Sequence, residues 1–134
     1  SMKVALTGSK NYENKRKIKE TIFKLMKNYP NIVVVSGGCK DGADKYVKKY
    51  ALELGCQYLE FNPAHTHKNL YSALHENYYG KSYHVKNFFM RNSMMAKYCN
   101  CMMMFISDND LDTKGSLNAI QEAKKHGKKV VIIS

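Results

Sequence analysis

Two stretches of this sequence carry the residue types of an anion site. One is Ser36-Gly37-Gly38 followed by Gly42-Ala43-Asp44, and the other is Lys114-Gly115-Ser116. Glycine has no Cβ, so a phosphate can come close to the main chain. A helix that starts just after such a turn offers unpaired N–H groups and the positive end of its dipole. A further turn, Gly8-Ser9-Lys10, adds a lysine. Arg91 and Asn92 stand three and four residues after Phe88 and just before Met94 and Met95. That spacing puts them on the apolar stripe of a helix and not opposite it. An arginine so placed must snorkel to solvent, pair with a carboxylate or reach a cleft. Glycines also merely punctuate βα turns, so the neighbouring elements have to decide between the two readings.

Those elements alternate. Lys3–Ser9 (KVALTGS) reads as a first strand, and Ile18, Ile22, Leu25/Met26 and Tyr29 mark an amphipathic helix that Pro30 closes. Ile32–Val35, four β-branched residues without polar alternation, predicts a strand buried on both faces. A helix with apolar positions Ala43, Tyr46/Val47, Tyr50/Ala51 and Leu54 follows, with Gly55 where a C-terminal cap belongs. Cys56–Phe61 is a third strand, and Asn87–Tyr98 a helix that buries Phe88, Met94/Met95 and Tyr98. Cys101–Ser107 is a fourth strand, a helix with Leu117, Ile120 and Ala123 follows Lys114, and Lys129–Ser134 is a fifth strand. This order predicts a three-layer α/β sandwich with a mostly parallel five-stranded sheet. Ligands of such sheets bind outside the carboxyl ends of the strands, near the point where strand order reverses. The loops expected at that edge are Gly8-Ser9-Lys10, Ser36–Asp44, Asn62–Ala64 and Asp108–Ser116. Three of the four carry glycine, which favours the anion-site reading.

Between Asn62 and Lys86 the periodicity weakens. The segment holds four of the five histidines, and four tyrosines from Tyr71 to Tyr83 that could pack the core, line a pocket or meet another subunit. His65-x-His67 is too little for a metal site, and no metal or cofactor is expected. Cys39, Cys56, Cys99 and Cys101 have neither zinc-knuckle spacing nor the density of a disulfide scaffold, so core thiols are expected.

A chain of 134 residues makes one domain. With no apolar run near the ~18 residues of a membrane span and no leader, it is expected to be soluble and cytoplasmic, with no membrane partner. The net charge of +11, from 22 Lys+Arg against 11 Asp+Glu, bears on partners and not on fold. The lysines mostly lie between apolar stripes, as a solvated face would have them, and their field would also attract anions from nucleotides to nucleic acid.

Taken together, Thr7-Gly8-Ser9, Ser36-Gly37-Gly38, Gly42-Ala43-Asp44, Pro63-Ala64, Arg91-Asn92 and Lys114-Gly115-Ser116 resemble, in order and spacing, the SLOG superfamily. The branch is that of small stand-alone YspA-like domains, related to the Lonely Guy phosphoribohydrolases and to DprA. The resemblance covers nearly the whole chain. It implies a Rossmann-like sheet, a pocket for a nucleotide or an ADP-ribose-like molecule, and self-association into a homo-oligomer. Carried over residue by residue, the pocket would be Gly8, Ser9, Ser36, Gly37, Gly38, Gly42, Ala43, Asp44, Arg91, Asn92, Gly115 and Ser116, with Lys10, Pro63 and Lys114 beside them. The chain departs from the pattern in its long tyrosine-rich segment and in the His65-Thr66 that follows Pro63-Ala64. A glutamate of the phosphoribohydrolases is replaced here by Ala119. A glycosidic-bond hydrolase needs a carboxylate beside the ribose, so the expectation is a binding module, a receptor or sequestering sponge, with no catalytic residue assigned. The alternatives are a nucleotide N-glycosidic-bond hydrolase, with Asp44, Asp108 or Asp110 as substitute acid, and a basic nucleic-acid-binding protein.

Overall fold

Strands with apolar side chains on both faces must be covered on both sides, and helices do the covering. The computed structural model describes residues 1–62, 85–108 and 114–134. The order is β1 (Lys3–Gly8), α1 (Lys15–Asn28), β2 (Val33–Ser36), α2 (Gly42–Glu53), β3 (Gln57–Glu60), α3 (Val85–Tyr98), β4 (Cys101–Phe105), α4 (Lys114–Lys125) and β5 (Lys129–Ile133). The five strands form one sheet in the order β3-β2-β1-β4-β5, and every neighbouring pair is parallel. This is a three-layer, Rossmann-like α/β fold.

The pleat sorts the apolar residues into two cores. Val4 and Leu6 of β1, Val34 of β2 and Phe105 of β4 pack with Ile18 and Ile22 of α1 and Val47, Tyr50 and Ala51 of α2. The alternate residues Ala5, Val35, Met102 and Met104 pack with Met95, Ala96 and Cys99 of α3 and Ala119, Ile120 and Ala123 of α4. Buried apolar area of this kind is the main favourable contribution to folding. Right-handed crossovers account for the layering. The chain moves outward from β1 through β2 to β3 with α1 and α2 on one face, then returns beside β1 as β4 and continues to β5 with α3 and α4 on the other.

Element ends follow local chemistry. The Asn14 side chain accepts from the Lys17 N–H at 3.2 Å and caps α1. Gly55 and Gly127, at φ +82° and +71°, supply the left-handed turns after α2 and α4. Tyr98, expected in the core, is 38% exposed. It ends α3 with its ring 5.5 Å from that of Phe61 and the Lys3 ammonium 4.6 Å from its centroid. Phe88 is half-buried. Cys99 is buried and Cys56 and Cys101 partly so, with burial raising all three thiols above their ordinary values. Among the described residues no helix is long and apolar enough to cross a membrane.

Candidate functional site

Strand order reverses between β1 and β4, and the helices that follow these two strands run on opposite faces of the sheet. Their divergence leaves a crevice at the carboxyl edge. A cleft of about 280 Å³ lies there. Its floor is Thr7, Gly8 and Met104 at the strand ends. Ser9, Lys10, Cys39 and Asp44 form one side, and Phe88, Phe89, Arg91 and Asn92 of α3 with Lys114, Gly115, Ser116 and Ala119 of α4 form the other.

Gly8 is required by packing. A Cβ there would stand 2.1 Å from the Phe105 carbonyl oxygen and 2.9 Å from the Ala43 side chain. Gly42, at φ +69°, lets α2 begin against the Ser9–Lys10 backbone, and the Ala43 N–H donates to the Ser9 carbonyl at 3.0 Å. Both glycines bring the N-terminus of α2 hard against the end of β1, with Ala43 buried behind the cleft.

Asp44 is the carboxylate among the described cleft residues, and it is 3% exposed. Its Oδ1 accepts from the Thr7 hydroxyl at 2.7 Å, and its Oδ2 accepts from the Cys39 N–H at 3.1 Å. Burial pushes this carboxyl above its ordinary value, while the Arg91 charge and the hydrogen bonds from Thr7 and Cys39 pull the other way. The anion position at the start of α2 is thus held by the protein's own side chain.

Arg91 is the hinge pin of the site. Its Nη1 donates to the Gly37 carbonyl at 2.6 Å and lies 3.5 Å from that of Phe61, and its Nε donates to Asn92 Oδ1 at 2.8 Å. Asn92, 3% exposed, donates in turn to the Gly115 carbonyl at 3.2 Å and to Asn118 Oδ1 at 3.1 Å. The pair therefore ties β2's turn to α3 and α3 to the first turn of α4. Of the three fates open to an arginine on an apolar stripe, this one reaches a cleft, where its charge acts on the buried Asp44 carboxylate.

The glycine turn itself is covered. The Arg91 guanidinium fills the place of a Cβ at Gly37, and Asn62 and Glu60 fill that place at Gly38. Glu60 accepts from Tyr58 at 2.9 Å and from Asn62 at 2.7 Å and pairs with Lys48 at 3.4 Å. Burial raises its carboxyl, but these partners together outweigh that and hold it below its ordinary value.

Of the residues expected at a pocket, Gly8, Ser9, Lys10, Asp44, Arg91, Asn92, Lys114, Gly115 and Ser116 line the cleft. Ser36, Gly37, Gly38, Gly42 and Ala43 stand behind it and do not line it. Pro63, Asp110 and the tyrosines of 71–83 lie outside the described residues. Cys39, Phe88, Phe89 and Met104 line the cleft without having been singled out. The doubled aromatic ahead of Arg91 was the available signal, since half-buried rings beside a pocket-facing arginine need not be core. No group of three His, Cys, Asp or Glu among the described residues could hold a metal ion.

A parallel sheet with a basic cleft at its switch point defines a Rossmann-like domain. Residues 2–67 match the model of the YspA, cpYpsA-related SLOG family, so this part of the chain is similar to the SLOG superfamily. No curated protein matches. Among solved structures, DNA processing protein A (DprA) from Streptococcus pneumoniae is 21% identical, with a TM-score of 0.69 over 99% of this chain and 50% of that one. DprA from Helicobacter pylori, described for its single-stranded DNA binding mode, is 19% identical, with a TM-score of 0.69 over 99% of this chain and 65% of that one. The chain thus spans about half to two thirds of these proteins' length, and at such identities the likeness is one of fold.

Proposed function

We propose that the switch-point cleft binds the phosphate-bearing end of a nucleotide or nucleotide-derived small molecule, ADP-ribose-like in kind, and that the protein acts as a receptor or sequestering module. The observation that carries this is the first turn of α4. Lys114, Gly115 and Ser116 open a 12-residue helix on the cleft, and no described atom lies within 4 Å of where a Gly115 Cβ would stand. This helix N-terminus has no carboxylate in its first turn, unlike that of α2, which holds Asp44. Backbone N–H groups and the helix dipole favour an anion there, with Lys114, Lys10 and Arg91 adding positive charge around it. Phe88 and Phe89 offer ring faces for a base or ribose. The match of residues 2–67 to a SLOG family model agrees with nucleotide or nucleic-acid binding in the broad sense.

The cleft carboxylate, Asp44, has both oxygens engaged by Thr7 and Cys39. That supports a binding role over hydrolysis of a glycosidic bond, which needs a carboxylate free to serve the ribose. Titration calorimetry with AMP and ADP-ribose tests the reading. The expected result is saturable binding weakened about tenfold by Lys114→Ala, the size of one charge-assisted hydrogen bond. A dissociation constant unmoved by that change, or release of free base from the nucleotide followed by chromatography, would overturn it.

A further inference from the structure

The outer face of α1 and α2 forms a second basic surface, separate from the cleft. Ile18 and Ile22 fix the buried side of α1, and Ala43, Val47, Tyr50 and Ala51 that of α2. Everything basic on the two helices is left outside. Six Lys or Arg side chains on α1 and three on α2 are exposed, against the exposed carboxylates Glu20 and Glu53. Glu20 is already paired with Arg16 at 3.4 Å. Charge continues across the seam between the helices, since the ammonium groups of Lys19 and Lys49 lie 5.5 and 5.3 Å from the centroid of the same Tyr50 ring. Of these two helices only Asp44 reaches the cleft.

We propose that this face binds the phosphate backbone of single-stranded nucleic acid. Its strongly positive charge fits a linear polyanion better than a compact ligand, because the positive side chains are spread along the exposed faces of two packed helices. Two helices lying flat against a sheet project nothing into a duplex groove, so base-edge readout is not available to them. Exposed rings stand among the lysines instead: Phe23 is 49% and Tyr29 41% exposed, and Lys27 lies 4.9 Å from the Phe23 centroid. Aromatic faces beside a positive track suit unpaired bases, whatever their sequence. A membrane surface is the poorer match, since the apolar stripes of both helices are spent on the core.

The test is fluorescence anisotropy of the whole chain with a labelled single-stranded 20-mer over a series of KCl concentrations. Binding should weaken with salt along a straight log–log line, losing about 0.7 in slope for each phosphate neutralised. The charge reversals Lys17→Glu, Lys24→Glu, Lys45→Glu and Lys49→Glu, combined, should weaken binding more than tenfold and flatten that slope, with an unchanged circular dichroism melt. The cleft variant Lys114→Ala should bind the oligonucleotide as the parent does, and the fourfold variant should keep its affinity for ADP-ribose. Failure of this surface and failure of the cleft are therefore read separately. Unchanged affinity and slope in the fourfold variant would overturn the inference. So would oligonucleotide binding lost in Lys114→Ala, or tighter binding to phosphatidylglycerol vesicles than to the oligonucleotide.

Discussion

The carboxylate of Asp44 and the guanidinium of Arg91 occupy the heart of the site, and each is fixed by partners from a different part of the chain. Thr7 from β1 and Cys39 from the turn before α2 hold the first, and Gly37 and Asn92 hold the second. Removing Arg91 would leave the Gly37 carbonyl short of its donor and a buried carboxylate short of its opposite charge. Leaving a buried acceptor without its donor costs about 2 kcal/mol, or about 7 °C of melting temperature at this size. The pH dependence has a defined sign. The Arg91 charge lowers a carboxyl that burial raises, so Arg91→Ala must raise it further. Below the ordinary aspartate range, about 3.9, Asp44 is protonated in folded and unfolded chains alike and the loss of Arg91 carries little electrostatic cost. As pH rises, the unfolded chain ionises first and the folded variant loses stability relative to the parent. Melts of Arg91→Ala and parent should diverge from acid to neutral pH, and a gap that is constant or shrinks would show that Arg91 does not serve Asp44.

At the scale of elements, the site exists because α2 and α4 start at one edge of the sheet, on opposite faces and on either side of β1. The start of α2 is packed shut and that of α4 stands open, and glycine substitutions should separate the two. Gly8→Ala would drive a Cβ into the Phe105 carbonyl, whose oxygen also accepts from the Ser9 N–H at 3.0 Å. Overpacking of that kind should cost about 3 kcal/mol. Gly115→Ala meets nothing among the described residues and replaces a poor helix former by the best one, so it should gain up to about 1 kcal/mol. Urea midpoints of the two variants that moved the same way would contradict this difference. The elements themselves were legible in the sequence because an apolar period marks each of them and glycine or proline closes several. The strand expected over Ile32–Val35 runs Val33–Ser36, and the helix marked from Ala43 begins at Gly42. The use made of the glycines was not legible. Gly37 and Gly38 have the residue type of an anion turn, yet the side chains that cover them, from Arg91, Glu60 and Asn62, lie up to 54 residues away. Local motif reading cannot see such partners, because they meet only after the sheet has brought β2, β3 and α3 together.

Across the whole molecule, charge and shape divide the labour. The +11 net charge draws anions toward every face, but among the described residues the cleft joins the N-terminus of α4 to aromatic rings that suit a compact anionic ligand. The sheet's reversal was implied by strand–helix alternation alone, whereas the side of the molecule that would carry the lysines followed only once α1 and α2 were seen to share a face. The claim on which the account turns is that an anionic group rests on the first turn of α4. Gly115→Asp probes it, because a carboxylate at that position suits the start of a helix and would take the place meant for the ligand. Calorimetric titration of Gly115→Asp with ADP-ribose, alongside its thermal melt, should show binding abolished and a melting temperature equal to or above that of the parent. Binding that survives intact in a folded Gly115→Asp protein would contradict the account.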